Sequence, residues 1–158
     1  MDQATSDKLA LLRAARTNVL RIYRSCTPAQ LNHVPPGLNN NLVWNAGHVV
    51  ATLEGLVYGL SGLRTPATAE FIGRYRKGSR PEGPVGQAEI DHIGQRLLAG
   101  VDQLEEDLAT LDFGNYRTYE TSFGVTLRDV GDALTFNNMH EAMHLGTMIA
   151  LRRLVADV

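Results

Sequence analysis

Residues Asn137 to Met148 read N-N-M-H-E-A-M-H-L-G-T-M, inside a long segment whose apolar residues recur at helical spacing. His140 and His144 are four positions apart, and at 3.6 residues per turn such side chains stack on one face of a helix. Two neutral imidazoles on one face form a ready pair of metal ligands. Their stripe runs Val130, Ala133, Asn137, His140, His144, Met148, Leu151 and Val155. Both histidines and Asn137 therefore occupy positions where hydrophobes are expected. The pattern predicts a helix over Leu127 to Val155, opened by Thr126 with Asp129. Arg152 and Arg153 near its end suit the helix dipole.

A third imidazole, His48, lies in W-N-A-G-H-V-V, within a helix predicted from about Leu42 to Leu60 and opened by Asn39-Asn40-Asn41. Its stripe is Leu42, Ala46, Val49, Leu53, Leu56 and Leu60, with only Asn45 and Glu54 strongly polar along it. A helix apolar nearly all round is either fully buried or shared between a core and a subunit contact. His48 lies about 120° from the centre of the stripe, at the edge of the core face, where it can reach a site between helices.

Two further long helices complete the set. Residues 6–25, capped by Ser6, carry Leu9, Leu12, Arg16, Val19 and Ile22 (or Tyr23) at 3-4 spacing, with Arg16 contributing a long stem. Gln87 to Leu111 carries Ile90, Leu97, Val101, Leu104, Leu108 and Leu111, with Gly94 in the gap. Between the first two, Thr27-Pro28-Ala29-Gln30 is a capping box with proline at the first helical position, and its helix must stop before Pro35-Pro36-Gly37. Ser61 to Gly86 holds five glycines and three prolines and predicts a long connection, with a turn or two of helix at Glu70 to Tyr75. Its basic patch, Arg74, Arg76, Lys77 and Arg80, either receives an acidic group of a substrate or is simply solvated. Asp112 to Val125 is a second loop, and no β-strand pattern is evident. His33 and His92 are expected to be exposed.

Four long helices with long crossover-type connections predict an all-α four-helix bundle, formed by residues 1–158 as one domain. A bundle core is a usual place for a metal held from facing helices. Three imidazoles with one open position make a catalytic type of site. Composition narrows the partners. With a net charge of −2 and no basic field, nucleic-acid binding is not expected. No apolar run reaches the roughly 20 residues of a membrane span. The polar N-terminus lacks a secretory signal, and a single cysteine, Cys26, suits a reducing cytoplasm; it is read as packing rather than as a nucleophile.

His140-Glu141-x-x-His144 also spells the zinc-peptidase helix, in which Glu141 would be the general base. That reading lacks a downstream ligand, because the fourteen residues after His144 contain no His or Glu. It also lacks the expected substrate-binding edge strand.

Three features together resemble the DinB-like (YfiT-like) family of metal-dependent enzymes. They are N-L-V-W-N-A-G-H-V-V, N-M-H-E-A-M-H-L-G-T-M, and the order of two long helices, a long loop and two more long helices. The chain differs from the commonest pattern at Leu145, where arginine is frequent, and at Thr147, where glutamine is frequent. The resemblance implies a four-helix bundle, often a homodimer, with His48, His140 and His144 as ligands of zinc or nickel. Relatives of known activity include transferases and isomerases dependent on a low-molecular-weight thiol. The expectation is therefore a metal-dependent thiol S-transferase or a hydrolase acting on a small molecule, with Glu141, Asn45 and Asn137 as candidates behind the ligands. The alternative is a non-catalytic metal-binding or stress-related dimeric helical protein.

Overall fold

The computed structural model describes residues 2–158. Its helices are α1 (Gln3–Arg24), α2 (Pro28–Asn32), α3 (Leu42–Glu54), α4 (Ala69–Tyr75), α5 (Gln87–Thr110) and α6 (Val130–Leu154). The four long ones form the bundle. α1 packs on α5 and α6, and α3 packs on the same two helices. α1 and α3 therefore stand on one diagonal and α5 and α6 on the other. The connections from α1 to α3 and from α5 to α6 therefore cross the end of the bundle, whereas the long 61–86 connection joins the neighbouring α3 and α5.

The apolar stripes make the core. Leu9, Leu12 and Val19 of α1 meet Leu97, Val101 and Leu104 of α5 and Ala133, Met148 and Leu151 of α6, all buried. Leu108 is only half-buried and Leu111 is exposed, because the end of α5 runs past its neighbours. α3 is buried at every position from Leu42 to Glu54 except Thr52. Its all-round apolar character is thus satisfied inside one chain, so the pattern carries no argument for a subunit contact.

Several boundaries differ from the sequence expectation for local reasons. Asp2, not Ser6, caps α1, accepting the Thr5 N–H at 2.8 Å. The capping box at Thr27 and Gln30 forms as expected, and Asn41 caps α3 by accepting from Trp44 N at 2.8 Å. The α-helix of the second segment ends at Glu54 and continues as a π-helical turn over Gly55–Gly59. α6 starts at Val130 with Asp129 as its cap. Thr126 belongs instead to a short antiparallel hairpin, β1 (Tyr119–Glu120) and β2 (Thr126–Leu127), paired Tyr119 to Leu127 and Glu120 to Thr126. Two-residue strands are too short to show an alternation in sequence. Gly124 (φ +72°) supplies the left-handed residue of the turn. His92 is exposed, whereas His33, at the end of α2, is half-buried.

The long 61–86 connection is anchored at both ends. Glu54, buried on α3, pairs with Arg96 of α5 and accepts the Ala67 N–H at 2.7 Å. Further along, Tyr75 Oη and Arg74 both donate to Glu89 of α5, each at 2.6 Å. These bonds tie the start of the connection to α3 and the end of α4 to α5, and so help set the geometry of the site described next.

Candidate metal centre

His48, His140 and His144 come together from α3 and α6, with one ring nitrogen of each within 4.8 Å of the others. His48 and His140 are buried and His144 is partly exposed. The W-N-A-G-H segment supplies most of the support. Trp44 stacks on the His48 ring with centroids 4.5 Å apart and planes 10° from parallel. Asn45 directs Oδ1 to His144 Nδ1 at 2.8 Å while its Nδ2 donates to Asn41 O. Gly47 leaves room for Tyr75, since a Cβ there would sit 2.5 Å from Tyr75 Cδ1. With Tyr75 seated against that glycine, its carbonyl oxygen lies 2.6 Å from His48 Nδ1.

These contacts fix the tautomers. A carbonyl oxygen can only accept, so His48 Nδ1 carries the proton and its Nε2 presents a lone pair. The same reasoning with Asn45 Oδ1 leaves the lone pair of His144 on Nε2. His48 Nε2 lies 3.3 Å from His140 Nε2. Tetrahedral zinc with bonds of about 2.05 Å requires ligand nitrogens about 3.3 Å apart. Bringing imidazole lone pairs to this spacing is unfavourable unless a cation or a shared proton lies between them. His140 Nδ1 is buried with no hydrogen-bond partner, so this ring alone lacks an orienting contact from behind.

Burial keeps the three rings neutral. It pushes His140 down to about 3, helped by His144, His48 and the guanidinium of Arg16. Burial and then His48 lower His144 to about 4. His48 is lowered by burial, partly offset by its bond to the Tyr75 carbonyl. At neutral pH the cluster therefore offers three uncharged nitrogen donors, the form that ligates zinc or nickel.

Glu141 does not join them. Its carboxylate is fully buried, and Oε1 accepts from Arg16 Nε at 3.0 Å, Arg16 Nη2 at 2.8 Å and Asn137 Nδ2 at 3.3 Å. Arg16 is also fully buried and donates to Val49 O and Leu97 O, joining all four long helices at the centre of the bundle. Of the three residues expected behind the ligands, then, only Asn45 contacts a histidine. Glu141 faces Arg16, because one residue along a helix turns a side chain by about 100° from His140, and Asn137 bonds to the Glu141 carboxylate one turn on. Arg16, expected to contribute its stem, is an ion-pair partner; the sign in the sequence was a cation on one core face and a carboxylate at the edge of another. The supporting role of Tyr75 is carried by its backbone and has no side-chain signature.

A cleft of about 400 Å³ opens over the histidines. Its walls come from the α3 end and π turn (Thr52, Leu56, Leu60), the 61–86 connection (Ile72, Arg76, Lys77), the hairpin (Thr121, Ser122, Phe123) and α6 (Phe136, Met143). A turn of π-helix widens the backbone here, at the floor of the cleft.

A sequence profile described as the DinB superfamily matches residues 11–148, a span that contains all three histidines. The chain belongs to the DinB superfamily. Among solved structures, this DinB protein is similar to the conserved protein of locus from Enterococcus faecalis. The two share 16% sequence identity and superpose over 100% of each chain with a TM-score of 0.68, a likeness of fold. No curated protein matches the DinB chain. Among the described residues, no helix is long and apolar enough to cross a membrane.

Proposed function

We propose that this protein is a metal-dependent enzyme, a thiol S-transferase or hydrolase acting on a small molecule, with zinc or nickel held by His48, His140 and His144. The observation that carries the reading is the convergence of three neutral imidazoles, two buried and one partly exposed, at the base of an open cleft. When bound, the ion would act as a Lewis acid that lowers the pKa of a thiol or of water. The protein's own residues do the rest. Tyr75 O and Asn45 Oδ1 hold His48 and His144 with Nε2 turned inward, which keeps both donors aligned as a ligand exchanges. Phe123, Phe136 and Met143 give the cleft an apolar wall. The hydroxyl of Thr52, 3.3 Å from His48 Nε2, is a neutral hydrogen-bonding group at the open side.

The zinc-peptidase reading is disfavoured by Glu141, whose carboxylate is bound to Arg16 and does not line the cleft. The second reading, a non-catalytic metal-binding dimer, needs the open side of the site to be closed, and the cleft counts against it. A homodimer remains part of the proposal on the family resemblance, and a cytoplasmic location on the lone Cys26 and the polar N-terminus.

The test is an assay of the metal-loaded protein for consumption of a low-molecular-weight thiol with an electrophile, and for ester and amide hydrolysis. Metal-dependent turnover that disappears in His144→Ala is expected. Stoichiometric metal with no turnover in any of these assays would favour the non-catalytic reading.

A further inference from the structure

We propose that the cleft selects a small organic anion, whose acidic group is held by Arg76 and Lys77 and whose apolar body extends toward the histidines. The inference names a substrate class for the site above and rests on that reading for the chemistry, while its charge argument stands separately.

The four cations of the basic patch in the 61–86 connection are not equivalent. Arg74 is engaged by Glu70 and Glu89. Arg80 lines a separate hollow with Trp44, Glu82 and Pro84. Arg76 and Lys77 line the histidine cleft. Among the described residues, neither forms a side-chain ion pair. No Asp or Glu contributes to the cleft wall, so nothing there neutralises them. Two unpaired cations beside low-dielectric walls raise the local concentration of anions. A guanidinium next to an ammonium suits the several acceptor oxygens of a carboxylate or phosphate.

The segment that carries these cations is held in place. Arg76 directly follows Tyr75, whose carbonyl holds His48. Ser79, two residues after Lys77, accepts the indole N–H of Trp44 at 3.0 Å. The cations are therefore tied on both sides to residues that position the His48 ring. Much of the remaining cleft wall is apolar, with Leu56, Leu60, Ile72, Phe123, Phe136 and Met143. A volume of about 400 Å³ is at the small end of the range for ligand pockets. The arrangement fits a molecule with an acid at one end, a hydrocarbon or aromatic middle, and the reacting group at the other.

The probes are 6-mercaptohexanoate and 6-mercaptohexanol, titrated by calorimetry into the zinc-treated full chain, native and with Arg76→Gln and Lys77→Gln combined. Both positions are exposed, so the variant should keep its melting temperature. The native protein should bind the acid about tenfold more tightly than the alcohol, and the variant should bind the two equally. Equal affinities in the native protein, no measurable binding of the acid, or a preference that survives in the variant would overturn the proposal. Zinc per chain, measured on the same samples, tests the metal reading separately. A preference for the acid without bound zinc would support anion selection and remove the metal centre.

Discussion

The bundle holds two buried polar clusters that meet on consecutive residues of α6. At Glu141 the carboxylate turns toward the bundle centre and is closed by Arg16, with both side chains fully buried. At His140 the ring turns the other way, toward His48, His144 and the cleft. One cluster balances a cation with an anion among four helices. The other gathers uncharged donors beside an opening. The difference shows why a motif such as His-Glu-x-x-His assigns no roles by itself: its carboxylate can be structural while its histidines form the site. A buried ion pair gains little over well-packed hydrophobes, but removing one partner leaves an uncompensated charge.

The largest effect should come from breaking the closed cluster. Arg16→Ala is expected to cost about 3–5 kcal/mol in urea unfolding. Arg16→Met with Glu141→Leu should recover most of that loss. Equal losses in the single and double variants would show that Arg16 stabilises through packing rather than charge. At the open cluster the effect should appear in metal affinity. Asn45→Ala removes the only side chain holding His144 from behind and should weaken zinc binding about 10–100-fold in a chelator competition. Unchanged affinity would mean that Asn45 serves α3 alone. The last effect joins site to fold. Gly47→Ala places a methyl group against the Tyr75 ring and should cost about 1–3 kcal/mol, with weaker zinc binding as the His48 support shifts. Lost stability without lost affinity would separate Tyr75 from the site.

Much of this was legible in the sequence. The 3-4 spacing of Leu9, Leu12 and Val19, and of Leu97, Val101 and Leu104, gave the long helices, because burial of one face leaves a period. His140 and His144 stood out as polar residues on an apolar stripe. His48 was placed only at the edge of its stripe, and the segment W-N-A-G-H gained meaning from the partners that Trp44, Asn45 and Gly47 meet in space. What stayed hidden depends on contacts distant in sequence or on backbone atoms. The Arg16–Glu141 pair spans 125 positions, and the Tyr75 carbonyl has no residue-type signal. The hairpin at 119–127 is too short to alternate, and the π turn at Gly55–Gly59 continues a helical pattern that its sequence does not interrupt.

We propose that the open cluster is a metal site and the closed one is not. The most direct measurement is metal content per chain by elemental analysis, on protein purified without a metal-affinity tag, comparing the native chain with His144→Ala and Glu141→Gln. About one zinc or nickel per native chain is expected, lost in His144→Ala and retained in Glu141→Gln. No metal in the native chain, with no rise in melting temperature on adding zinc or nickel, would contradict it.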